Sequence, residues 1–502
     1  MGFYFAQALT GLASASSLFL VAAGLSLIFG VTRVVNFAHG SLYMIGAYVA
    51  MDVIGLFGKV PGFWLALPIA ALVSAAVGGL IEVTVLRRIY RAPEMFQLVA
   101  TFARIGVLSF GGPAAQISLM HAELVERHKW LTEKQFLQAL SFCMLLPGPE
   151  AMQLATYVGW KLRGVPGGLI AGLLFVLPGA AVIMGLAFGY AHYGDMPLVQ
   201  SLFAGIKAAV VVVVLQALWR LSRKALGGPS SWALAGLAFA ALFFLSIPFP
   251  LIIAAAALWG YLTTTHAAAE PAPPPHRPDT LRTIATWGTL WLAPVALLWL
   301  TGAEFLTELA LFFSQLAVVT FGGAYAVLAY MTQAVVETHG WLTTPEMIDA
   351  LGLAETTPGP LILVTQFVGF LAGFAEGGPW LALLAATLTL WVTFTPCFLW
   401  IFAGAPYVET LLARPRLRGA LDAISAGVVG VILNLSVWFA LHVIFADVAP
   451  GRFGPRVEPS SLIPENLVYM GIAILLLLGL RLPLILCLGL MAAISGAAEL
   501  LV

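Results

Sequence analysis

Ser109-Phe110-Gly111-Gly112-Pro113 and Leu146-Pro147-Gly148-Pro149-Glu150 decide the fold, because both stretches return later in the same chain. Thr320-Phe321-Gly322-Gly323 echoes the first, and Pro358-Gly359-Pro360 echoes the second. Each Phe stands 20 residues before a Trp-Leu-Thr, at Trp130 and Trp341, and 37 residues before its Pro-Gly-Pro. Tyr157-Val158-Gly159 is matched by Phe367-Val368-Gly369, Pro178 by Pro396, and Ile206-Lys207-Ala208 by Ile424-Ser425-Ala426. Several motifs at a near-constant offset mark a duplicated unit. Proline removes a backbone donor and ends a helix, and glycine permits the turn that follows. These stretches therefore predict helices broken at matched positions in two repeats.

The surrounding composition says where such breaks lie. The 502 residues hold 23 Lys+Arg and 23 Asp+Glu, 9% charged against roughly 25% in an ordinary soluble domain, and 61% are hydrophobic. So few charges cannot cover a water-facing surface of this size. A soluble enzyme, a nucleic-acid binder and a disordered scaffold are excluded, and the expected class is an all-α polytopic membrane protein. The net charge of zero offers no basic face for nucleic acid. Cys143, Cys397 and Cys487 lie far apart, and the eight His residues show no ligand spacing, so neither a disulfide framework nor a metal site is expected. The first basic residue is Arg33, which leaves the start without the charged region of a signal peptide. No GxxxxGK[ST] phosphate loop occurs, and no catalytic triad or cofactor fingerprint is visible, so neither enzyme activity nor a cofactor is expected. Any driving force for transport must come from an ion gradient, the membrane potential or another subunit.

At about 20 apolar residues per span, three spans are expected in 1–102, near 7–30, 40–57 and 64–86, followed by Arg87, Arg88 and Arg91. Repeat 1, residues 103–265, holds six segments, near 103–120, 140–160, 166–190, 198–220, 231–246 and 248–263. A polar, Pro-rich stretch at 266–283 reads as a cytoplasmic linker. Residues 284–502 hold a bridging span and the six segments of repeat 2. An odd interval flips the second copy, and the basic residues test the flip. Lys161 and Arg163 answer to a loop at 374–379 without any, whereas the loop at 191–197 has none and its counterpart carries Arg414, Arg416 and Arg418. Arg127, Lys129 and Lys134 vote the other way, diluted by Glu123, Glu126 and Glu133. The expected architecture is two inverted repeats after about three extra helices.

Inverted repeats place substrate near the midplane, at broken helices whose free N–H groups and positive dipole ends face an anion. The candidate substrate-binding residues are Ser109, Gly111, Gly112, Gln116, Pro147, Gly148 and Gln153 in the first repeat. Thr320, Gly322, Gly323, Gly359 and Gln366 are their candidates in the second. Hydroxyl and amide groups can donate to a tetrahedral oxyanion without burying a charge. Lys207, inside the apolar run Leu202–Leu215, is the intramembrane cation, with snorkelling as the competing account. Glu150 and Glu355 flank the Pro-Gly-Pro turns from opposite sides and are candidates for proton coupling.

Residues from about 103 to 502 resemble the chromate ion transporter family. The resemblance rests on Phe102-Ala103-Arg104-Ile105-Gly106, Leu108–Pro113, Leu145–Glu150, Gln153–Gly159 and the degenerate second set. It implies efflux of chromate from the inner membrane, with sulfate as the look-alike anion, and chromate resistance. Ala324 replaces Pro113 and Leu361 replaces Glu150 in the second copy, which points to the first half as the dominant substrate contact. Residues 1–102 resemble the start of a branched-chain amino-acid ABC transporter permease, through Gly24–Gly40, Tyr43–Tyr48, Arg91–Glu94 and Phe96–Phe102. Only about the first third of such a permease is covered, without its ATPase-docking loop, so an ABC ATPase is not an expected partner. Chromate or sulfate, the lipid bilayer and a second copy of the chain are the partners considered. Two readings compete with an exporter: a permease subunit for branched-chain amino acids, and a fusion that does not transport.

Overall fold

Two glycine turns explain the longest helices of the computed structural model, which describes residues 38–81, 93–264, 280–321, 324–408, 414–449, 451 and 454–501. The chain divides into two units, Met1–Phe96 and Gln97–Val502. In the first, α1 (Ala38–Phe57) and α2 (Lys59–Ile81) pack on each other across Gly58, whose φ of 81° only glycine takes without strain. The expected span near 7–30 lies outside the described residues, as do Gly24–Phe37 of the permease-like stretch.

The second unit takes in α3 (Pro93–Leu108) from Gln97 onward, then α4 (Gly112–His121) and α5 (Glu133–Cys143). Then come α6 (Glu150–Tyr193), α7 (Pro197–Ala225), α8 (Pro229–Phe243) and α9 (Phe249–Thr263). After α10 (Thr280–Leu300) the order returns as α11 (Glu304–Val319), α12 (Ala324–Gln333), α13 (Thr344–Thr356), α14 (Val364–Gly404) and α15 (Pro415–Ile444). A small β-hairpin, β1 (Val448–Ala449) with β2 (Arg456–Val457), precedes α16 (Pro464–Ile474) and α17 (Leu484–Leu501). Thr280–Arg282, expected in the linker, are the first turn of α10.

The duplication is visible in local detail. Both α4 and α12 run into a π-helical turn, Ala122–Arg127 and Ala334–Thr338. Each turn ends on a left-handed residue, Lys129 (φ 53°) or Gly340 (φ 63°). Trp130 N–H then donates to Leu124 O at 2.9 Å, and Trp341 N–H to Val335 O at 3.0 Å. Thr132 with Gln135 and Thr343 with Glu346 close capping boxes on α5 and α13.

The expected segment at 140–160 is not one span: the chain leaves α5 at Cys143, unwinds, and re-enters a helix at Glu150. Residues 150–162 form an arm about 20 Å long at 1.5 Å per residue, too short for a hydrocarbon core of about 30 Å. The break at Arg163 and Gly164 (φ 64°, ψ −157°) folds the rest of α6 back along that arm. Contact is so close that a Cβ on Gly159 would lie 2.3 Å from Gly167 O. Gly377 and Gly378 (φ 76°, ψ −167°) do the same in α14. The pairs α8–α9 and α16–α17 are likewise short helices, and each pair packs on the long helix of the other repeat: α8 and α9 on α15, α16 and α17 on α7. Small residues permit this, since a Cβ on Gly430 would meet Ala235 O at 2.1 Å and one on Gly205 would meet Met491 O at 2.2 Å.

Among the described residues six helices are long and apolar enough to cross a membrane, including α6, α7, α10 and α15. Their outer faces leave Trp299 70% and Trp380 84% exposed, which suits lipid rather than water. The chain is a multi-pass α-helical membrane protein.

Candidate functional site

The broken motifs of the two repeats meet. Helix α3 ends at Leu108, and the chain turns through Gly111 (φ 86°) and Gly112 (φ 76°) into α4. Helix α11 ends at Val319 before Thr320; Gly322 and Gly323 lie outside the described residues. Gly148 (φ 123°) and Gly359 (φ 88°) centre the two Pro-Gly-Pro turns. Gly148 N–H donates to Thr320 O at 2.8 Å, and Gly359 N–H donates to Ser109 O, also at 2.8 Å. Each Pro-Gly-Pro thus closes on the Ser/Thr-Phe break of the opposite repeat. A Cβ on Gly148 would fall 2.8 Å from Cys397 Sγ, and one on Gly179 would fall 2.1 Å from Pro358 O.

Most of the sequence-derived polar candidates assemble here, each donating to a backbone carbonyl. Ser109 Oγ donates to Ile105 O and Thr320 Oγ1 to Leu316 O, each one turn back in its own helix. Gln116 Nε2 donates to Gly359 O at 2.6 Å, Gln153 Nε2 to Pro147 O at 2.6 Å, and Gln366 Nε2 to Ala180 O at 3.1 Å. All five side chains are buried. Their chemistry in this arrangement is to hold unwound backbone, whose unpaired carbonyls would be costly inside a bilayer.

Lys207 is elsewhere in the charge pattern. Its Nζ lies 3.0 Å from Asp349 Oδ1, and Tyr190 OH donates to Asp349 Oδ2 at 2.8 Å. The intramembrane cation is therefore balanced by a carboxylate from α13. Glu150 and Glu355 face different spaces. Glu150 begins α6 and borders a cavity of about 830 Å³ with Lys224, Arg418 and Asp422. Glu355 is 5% exposed, accepts a 2.8 Å hydrogen bond from Tyr325 OH, and borders a second cavity of about 560 Å³. Gly111, Gln216, Arg220 and Arg481 line that second cavity too.

Sequence reading misses Tyr325, Asp349, Arg220 and Arg481. Tyr325 reads as one more aromatic, and Asp349 lies far from Lys207 along the chain. A signal for Arg220 exists: Val213, Gln216, Ala217 and Arg220 fall on one helical face, two of them polar within an apolar run.

Two family models match the chain. The family model described as "Chromate transporter" matches residues 96–261 and 307–497. The model described as "Branched-chain amino acid transport system / permease component" matches residues 7–113. A chromate transport protein of Pseudomonas aeruginosa is 31% identical over 347 residues, 67% of this chain and 79% of its own length. One from Cupriavidus metallidurans is 28% identical over 362 residues, 72% of this chain and 86% of its own. A high-affinity branched-chain amino acid transport system permease protein of Pseudomonas aeruginosa is 32% identical over 121 residues, 23% of this chain and 38% of its own. No solved structure matches the chain.

Proposed function

The chain belongs to the chromate transporter family, and from that premise we propose that it exports chromate across the inner membrane and confers chromate resistance. The observation that carries this reading is the reciprocal closure of the two breaks, Gly148 on Thr320 and Gly359 on Ser109. Non-helical backbone from both repeats meets at one place, the arrangement a transporter uses to expose a midplane site alternately to either side. The reversed basic residues support inverted repeats that rock against each other about this crossing.

Chromate is a dianion, so an inside-negative potential favours its exit by about 2 × 2.3 kcal/mol per 100 mV. Membrane potential or an ion gradient suffices as the driving force, with Glu355 and Glu150 as the groups able to carry a coupled proton in separate cavities. Sulfate, of like charge and shape, competes for the same path.

Chromate uptake by everted vesicles tests the reading, with sulfate as competitor and vesicles lacking the protein as reference. Potential-dependent uptake that sulfate depresses is expected. No uptake above the reference, or leucine flux that requires a co-purifying ATPase, would overturn it.

A further inference from the structure

We propose that Arg220 and Arg481, one from each repeat, form the clamp that holds a tetrahedral dianion in the cavity beside the first break. This rests on the oxyanion-transport reading and adds to it a pair of free cationic donors. The hydroxyls at the crossing donate to backbone carbonyls, each amide there gives at least one N–H to a carbonyl, and Lys207 is neutralised by Asp349.

Arg220 stands on α7, and Arg481 on the turn between α16 and α17, both of which pack against α7. Both line the 560 Å³ cavity, are exposed, and make no ion pair or hydrogen bond among the described residues. The cavity's carboxylate, Glu355, accepts the hydrogen bond of the Tyr325 hydroxyl. The two unpaired guanidiniums outnumber that carboxylate, which leaves the cavity a net positive charge that attracts an anion. Guanidinium forks present paired N–H groups that match the edge of a tetrahedral oxyanion. The start of α4 at Gly111, on the same wall, adds the positive end of a helix.

The backbone of Arg481 is fixed by its turn. Its φ is 54°, at the end of a π-helical turn closed by Leu480 N–H to Leu475 O and Leu482 N–H to Leu476 O. The same closing pattern holds Lys129 and Gly340 in the left-handed conformation. The turn thus accepts a long basic side chain as well as glycine, and at Arg481 it sets the guanidinium on the cavity wall.

The test uses the purified full chain in detergent and in proteoliposomes, with chromate and sulfate as separate probes and chloride as the control anion. Arg220→Gln and Arg481→Gln are each expected to weaken binding of both dianions at least tenfold. Arg481→Gly is expected to keep or raise the thermal midpoint while losing binding to the same extent, which separates clamp from scaffold. Arg220→Lys is expected to restore only part of the affinity, because a point charge cannot fork. Wild-type affinity in the glutamine variants, with the native chain still transporting chromate, would overturn the clamp and leave the transport reading standing. A native chain that binds and carries neither dianion would overturn both.

Discussion

At the first Pro-Gly-Pro, Gly148 turns toward the sulfur of Cys397; at the second, Pro358 presents its carbonyl to Gly179. Gly179 and Cys397 hold equivalent places, each directly after the proline of its long helix, so one junction is backbone against backbone and the other backbone against thiol. Other pairs differ in the same sense. Glu150 is matched by Leu361, and Gln116, which ties the two breaks together, by Val327. Lys207 is matched by Ser425, and Ala114 by Tyr325, the partner of Glu355. A duplicated frame keeps its backbone crossings and lets the side chains diverge. The difference teaches that the crossing is shared structure, whereas charge is allotted to one side or the other.

Exchanging the junction residues breaks that comparison most sharply. Gly179→Cys drives a Cβ to 2.1 Å from a backbone oxygen, and a loss of about 3 kcal/mol is expected from such overpacking. Cys397→Gly only removes a buried thiol, at about 1–2 kcal/mol. Thermal unfolding of the purified chain reads both, and equal losses would show that the junctions do not differ as described.

The Lys207–Asp349 pair comes next. Lys207→Met leaves Asp349, 7% exposed at its side chain, without its counter-charge; about 2–3 kcal/mol is the expected cost, somewhat below the range for fully buried pairs. The double variant Lys207→Met with Asp349→Asn should recover most of it. Were the double variant to regain stability and still carry no chromate, Lys207 would join the anion path; recovered flux would make the pair a strut between the two repeats.

These experiments also mark how far sequence reasoning reaches. Both breaks were readable because Gly and Pro act on their own backbone, and Gly148 and Gly359 do take the positive φ their motifs imply. The crossing was not, since Gly359 finds Ser109 through packing that no local rule encodes. Lys207 stood out by its charge, yet its meaning depends on Asp349, placed opposite it by the packing of α13 on α7. Arg220 and Arg481 sit near the ends of apolar runs, where a basic residue reads as an interfacial anchor. Span counting failed at 140–160 because hydrophobicity measures length and is blind to the unwound stretch between Cys143 and Glu150.

The smallest expected effect concerns the ends of α4 and α12. His121 has its pKa raised, chiefly by its 2.6 Å hydrogen bond to Glu133, with Glu126 adding to it. Thr332 is its buried counterpart. A histidine pKa raised by folding adds stability that is full below the ordinary imidazole range and fades as pH rises through the raised value. Glu133→Gln should bring the His121 titration, followed by NMR, back toward the ordinary value. It should also lower the thermal midpoint slightly at acidic pH and leave it unchanged at alkaline pH. An unmoved titration would deny the pairing.

The two crossing hydrogen bonds have a consequence for biosynthesis. The Ser109 carbonyl and the Gly148 amide leave the ribosome long before Gly359 and Thr320 exist. Until those arrive, the first repeat holds unwound backbone in a solvent where each unpaired group costs several kcal/mol. The early half must therefore wait, sheltered or incompletely inserted, for the late half to close it. Completion of the chain, rather than insertion of any single helix, is the step that commits this protein to its final form.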